Sequence, residues 1–235
     1  MPLPKNLQNE IYQYCANHLP NNDSWYEKQF EFVEDSVLRQ RLAREFQAIR
    51  FAYKLYEGIN ANEENMLFEI RSQIFAFASL YEAVLHYVLY TYYQYTTEFH
   101  AMQYHCVPIR IDIPKDKLAA ANKLLVHDGE TIMPFYLKER KKEETQIRFE
   151  AKCKTAEKLG IIHKFKNHEG KVIDFAQELI EIYEYRNAIH LMAEKRKGIT
   201  YELNLSKRAY RRMRPFIEQV KEKLKADCKS IYLDK

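Results

Sequence analysis

An all-α fold is predicted for this 235-residue chain, and two observations predict it. Glycine is scarce and proline sparse, five and seven residues in all, so little interrupts a helix. Apolar residues recur by threes and fours along several long stretches, with charged residues between them at helical spacing. The architecture expected is an antiparallel helical bundle of roughly four or five long helices with a small irregular, partly β insertion between two of them. One domain is expected over residues 24–228, with the insertion at about 105–137, an N-terminal arm at 1–23 and a C-terminal tail at 229–235.

A short helix is predicted from Leu7 to Leu19. From Ser24 to about Glu57, Leu38, Leu42, Phe46, Ile49, Tyr53 and Tyr56 step by fours and threes, which predicts one long helix stopped at Gly58. A second starts near Asn62 with two glutamates in its first turn, where negative charge suits the helix dipole. Its stripe runs from Leu67 through Ile74, Tyr81 and Val88 to Tyr95. Glu82, His86 and the interspersed tyrosines make it a central buried helix rather than a membrane span. Ile109, Ile111 and Ile113 alternate with Arg110 and Asp112 between two prolines, an edge-strand pattern. A short helix from Lys115 to Val126, a turn at 127–129 and a second extended piece from Thr131 to Leu137 complete the insertion. Helix is expected again from Lys138 to Gly160, then from Val172 to Lys197, and last from Ser206 to about Asp227, kinked or restarted at Pro215.

The net charge of +4 permits nucleic-acid binding without demanding it. Cys15, Cys106, Cys153 and Cys228 are scattered, with no zinc spacing, so free thiols in a reducing, cytoplasmic setting are expected. No secretory leader is read at the N-terminus. His163 with His168, and His100 with His105 and Cys106, are too few or too poorly spaced for a metal site. No glycine-rich phosphate loop is present. Neither metal nor cofactor is expected.

The polar anomaly is in the helix predicted over 172–197. Phe175, Leu179, Ile182, Tyr183, Ile189 and Ala193 share an apolar sector, Glu178, Glu181 and Glu184 lie opposite, and Arg186 and His190 fall inside the apolar sector. Burying an arginine without a partner is costly. Two readings stay open. Arg186 pairs with a buried carboxylate such as Glu82 and His190 is a satisfied core histidine. Alternatively, a fixed cation and an imidazole four residues apart serve phosphodiester cleavage, the one gripping phosphate oxygens and the other moving a proton. Glu82 and His86, also at i,i+4, are candidates to orient that pair. Nearby, Lys195, Arg196, Lys197, Lys207, Arg208, Arg211, Arg212 and Arg214 form a positive stretch that would draw a polyanion such as RNA.

The run Arg186-Asn187-Ala188-Ile189-His190, late in a helical bundle, resembles the signature of the HEPN superfamily. That resemblance implies a four-helix bundle, often dimeric, with a metal-independent endoribonuclease site. Arg186 would stabilise phosphate charge, Asn187 would help orient the site, and His190 would activate the ribose 2′-hydroxyl or protonate the leaving oxygen. Family sites are often composite across a dimer, so a homodimer is expected, with RNA as substrate and a protein regulator as a further possible partner. Three residues separate Arg186 from His190, a shorter interval than the family usually has. The superfamily also contains non-catalytic bundles, and a nucleic-acid- or protein-binding scaffold, adaptor or antitoxin is the alternative.

Overall fold

The helix Glu63–Tyr92 runs for 30 residues and is apolar on more than one side. Ile70, Ile74, Phe77, Tyr81, Leu85 and Val88 are all buried along it. The computed structural model describes residues 2–20, 22–167, 169–189, 195–196 and 198–230. They are mainly helical, with small antiparallel two-stranded sheets. Contacts divide the chain into two units, Met1–Gln94 with Phe149–Lys235, and Tyr95–Arg148.

The larger unit contains α1 (Lys5–Asn17), α2 (Asp23–Gln29), α3 (Ser36–Gly58) and α4 (Glu63–Tyr92). The smaller follows with α5 (Thr97–Gln103), β1 (Tyr104–Arg110), α6 (Lys115–Leu124), β2 (Val126–His127), β3 (Glu130–Thr131) and β4 (Phe135–Lys141). The larger unit then resumes with α7 (Phe149–Lys158), β5 (Phe165–Lys166), β6 (Val172–Ile173), α8 (Phe175–Asn187) and α9 (Leu203–Ala226).

In the larger unit α4 packs against α3, α7, α8 and α9, while α1 and α2 pack on α3. Each fully buried Leu, Ile or Phe removed from water contributes about 1.5–3 kcal/mol before ordering entropy is charged against it. Two polar side chains of α4 find partners across this core. The Tyr81 hydroxyl donates to the Ala209 carbonyl at 2.6 Å, tying α4 to α9, and Gln73 donates to the Ile49 carbonyl at 3.1 Å, tying α4 to α3. By length and composition α4 could cross a bilayer, and half of its most apolar 18-residue window is buried inside the protein.

In the smaller unit β1 and β4 form an antiparallel ribbon, registered from Tyr104 opposite Lys141 to Arg110 opposite Phe135. The His-Asp-Gly turn joins β2 and β3 through Asp128 and Gly129, both at positive φ, 50° and 83°; glycine holds the second at little steric cost. The unit spans Tyr95–Arg148, wider than the 105–137 expected. The difference arises because α5 and the first residue of β1 precede residue 105, residues 138–141 belong to β4, and the helix placed from Lys138 begins only at Phe149.

Boundaries differ in the larger unit as well. The helix expected from Ser24 to Glu57 is broken at residues 30–35, where Phe30, Phe32 and Val33 are fully buried and Asp35 caps a new start by accepting from the amides of Val37 and Leu38. The last helix begins at Leu203 rather than Ser206 and continues through Pro215.

Candidate functional site

Helix α8 is fixed at its start by Asp174, whose Oδ1 accepts from the Gln177 amide at 3.1 Å. Lys164 lies 2.8 Å from the other carboxylate oxygen. The hydrogen bond from Lys164, then that from the Gln177 amide, holds the Asp174 carboxyl below its ordinary range. The helix ends at Asn187, with Ala188 as C-cap donating back to the carbonyls of Glu184 and Tyr185. The helix predicted over 172–197 is therefore shorter: Val172 and Ile173 pair with β5 as a strand, and the helix stops within the Arg-Asn-Ala-Ile-His run.

Arg186 occupies the last turn of α8 and is half-buried. Its guanidinium carbon lies 4.9 Å from the Tyr183 ring centroid and 5.4 Å from that of Phe75 on α4, within cation–π range. Nη1 donates to the Tyr183 hydroxyl at 3.0 Å and to Asn187 Oδ1 at 3.1 Å. The Tyr183 hydroxyl donates in turn to Glu82 Oε2 at 3.0 Å, and the buried Lys152 stands 3.8 Å from Glu82 Oε1. Phe149 stacks on Tyr183 with ring centroids 4.4 Å apart. Burial first, then the Glu82 charge and its hydrogen bond, raises the Tyr183 pKa against the opposing pull of Arg186, so the phenol stays a donor.

Arg186, Asn187 and Glu82 are thus brought together, with Tyr183 between the cation and the carboxylate. No direct Arg186–Glu82 ion pair joins them. His86, one turn beyond Glu82, stacks on Tyr90 with centroids 4.2 Å apart. His190 and Lys197 lie outside the described residues. Among the described residues, the Nε and Nη2 donors of Arg186 meet no protein acceptor, which leaves two edges of the guanidinium able to take phosphate oxygens.

Expected RNA-binding residues are less uniform than their charge suggested. Lys195 and Arg196 are exposed. Arg208 pairs with Glu181 at 3.2 Å, and Arg212 makes a two-point contact with Glu178 through Nε and Nη2. Glu178 and Glu181 therefore face α9, which corrects the solvent-facing orientation expected for these two; Glu184 is exposed. The cause is the tilt of the buried stripe, which takes in Ala176 and Ile180 and turns the acidic edge toward the arginines of α9. Arg214 pairs with Glu218 at 2.8 Å along its own helix. Lys207 lines a small cavity of about 190 Å³ with Glu69, and Arg211 is exposed.

Sequence places Tyr183 only in the apolar sector and does not single out Lys152. Tyr183 had a local signal, standing three residues before Arg186 on the same helix. The Lys152–Glu82 approach joins α7 to α4 across seventy residues and has no local signature. Among the described residues, no three His, Cys, Asp or Glu side chains are grouped to hold a metal ion. No family model, curated protein or solved structure matches the chain.

Proposed function

We propose that the chain is an HEPN-like, metal-independent endoribonuclease in which Arg186 and His190 act on a phosphodiester. The observation that carries this is the held guanidinium: Arg186 is fixed on one side by Tyr183 and Asn187, and its remaining donors are unspent among the described residues. In the proposed reaction those donors neutralise charge developing on the non-bridging phosphate oxygens. His190 takes the proton of the ribose 2′-hydroxyl or returns one to the leaving 5′-oxygen, and the product is a cyclic phosphate. Asn187 and Tyr183 keep the guanidinium in place, and Glu82 holds Tyr183.

A homodimer with a composite site is part of the proposal. Phe68 and Phe75, seven residues apart on α4, are exposed, and Phe75 lies beside Arg186. An apolar strip adjoining the site is what a second copy would cover. The test is RNA cleavage in the presence of chelator, with Arg186→Ala and His190→Ala both inactive and folded. Full activity in either variant removes the assignment.

A non-catalytic bundle that binds RNA or a protein partner is the second reading, favoured by one observation. Arg208 and Arg212 are paired with carboxylates of α8, which reduces the free charge beside Arg186. It predicts salt-sensitive binding without turnover; cyclic-phosphate product beyond one equivalent excludes it.

A further inference from the structure

A separate cleft of about 570 Å³ opens between α2, α3 and α9, a volume within the range of small-ligand sites. It lies on the side of α9 away from α8. Tyr210 and Arg214 flank Arg212 by two residues, which places them roughly 160° around the helix from it. Trp25 and Tyr210 present partly exposed rings to the cleft, 37% and 41% accessible. Tyr210 is held in place by near-parallel stacking on Tyr53, 6.3 Å between centroids, and Trp25 by Phe46 at 6.3 Å.

Charge in the cleft is lopsided. The Arg50 guanidinium carbon lies 5.1 Å from the Trp25 centroid and 5.8 Å from that of Tyr210. Among the described residues Arg50 and Arg211 meet no hydrogen-bond acceptor. Arg214 is engaged by Glu218, the one acidic side chain among the described residues that line the cleft. Three guanidiniums therefore face one carboxylate. Gln29 donates to the Trp25 carbonyl at 3.0 Å, which fixes its amide and leaves Oε1 as an acceptor for an amino group.

Flat apolar faces, surplus forked donors and one placed acceptor match a ligand with a planar heterocycle and a phosphate. We infer that this cleft binds a phosphorylated nucleotide, free or at the end of an RNA strand. The base stacks on Trp25 or Tyr210, and Arg50 and Arg211 hold the phosphate. The site is independent of the Arg186 chemistry and stands or falls separately.

Trp25 is the chain's one tryptophan, so its fluorescence, excited where nucleotides do not absorb, reports this cleft. Titration of the full chain with AMP or GMP is expected to quench it saturably. Adenosine and inorganic phosphate at the same concentrations are expected to leave it unchanged. Arg211→Ala, an exposed change, should weaken nucleotide binding by about tenfold or more, with Arg50→Gln acting alike and Arg186→Ala without effect. Stronger quenching by a 5′-phosphorylated single-stranded oligonucleotide than by AMP supports the inference and assigns RNA as the source. Equal or weaker quenching by the oligonucleotide, with AMP saturating, supports it and assigns the free nucleotide. Absence of saturable quenching by any nucleotide, equal quenching by phosphate alone, or unchanged affinity in Arg211→Ala overturns it.

Discussion

The Tyr183 hydroxyl donates to the Glu82 carboxylate at 3.0 Å while accepting from Arg186 at the same distance. A residue of α8 thereby connects the cation of the proposed site to an acid on the central helix. The Lys152 ammonium on the far side of Glu82 keeps that acid from being an unbalanced half-buried charge.

Tyr183→Phe cuts this connection while preserving the ring under Arg186. In the proposed enzyme it should lower the single-turnover cleavage rate by about tenfold, against roughly 10²–10³-fold for Arg186→Ala, the scale for losing one transition-state donor. Rapid-quench measurement with a labelled oligonucleotide separates the two. A Tyr183→Phe rate equal to wild type removes the positioning role.

The two-point Arg212–Glu178 contact should be a stability determinant, because both side chains are largely shielded, 15% and 16% exposed. Arg212→Ala leaves Glu178 without its partner and should cost on the order of 2–3 kcal/mol. Arg214→Ala, whose side chain is 86% exposed, should change stability by less than about 0.5 kcal/mol. Urea denaturation of the two variants and of the Arg212/Glu178 double mutant measures the coupling.

Glu69 supplies a pH dependence. It is buried on α4 with Oε1 unpartnered among the described residues, and burial, with a lesser contribution from the Glu57 charge, pushes its carboxyl up to about 7. The unfolded chain ionises this group near the ordinary glutamate value of about 4.3. Folding is therefore favoured by the neutral form: the contribution is full below about pH 4 and is lost as pH rises to about 7. Glu69→Gln should flatten the pH dependence across that window and stabilise the protein at pH 8 by on the order of 2 kcal/mol. An unchanged slope contradicts this.

Counterion release distinguishes free from paired cations if RNA binds beside Arg186. Replacing Lys195 or Arg196, both exposed, should each lower the slope of log affinity against log salt by about one. Replacing Arg208, already paired with Glu181, should lower it less. Filter binding over a salt series measures both.

The helical class was legible because its signals are local. Apolar steps of three and four marked α4 within a residue of its start, and the His-Asp-Gly run placed the turn at 127–129. Boundaries failed where long-range burial overrode local pattern. Residues 30–35 carry Phe30, Phe32 and Val33, which read as helix in sequence but leave it to fill the core. Lys138–Lys141 read as helix and pair with β1 instead, Lys138 opposite Val107 and Lys141 opposite Tyr104, since strand pairing depends on a partner distant in sequence. At the site, Glu82 was legible from its position on an apolar helix. Its link to Arg186 through Tyr183 depends on how α8 turns against α4, and spacing on one helix does not encode that. The pairing of Arg208 and Arg212 with α8 was hidden for the same reason, as charge counting sums cations that packing neutralises.

Metal-independent cleavage of RNA by Arg186 and His190 is the proposed activity. The most direct measurement incubates wild type, Arg186→Ala and His190→Ala with single-stranded RNA in excess chelator, and identifies the product ends. Wild type is expected to release a 2′,3′-cyclic phosphate over many turnovers, and neither variant is expected to do so. Cleavage by either folded variant at the wild-type rate, or no turnover by wild type under conditions where RNA is bound, would contradict it.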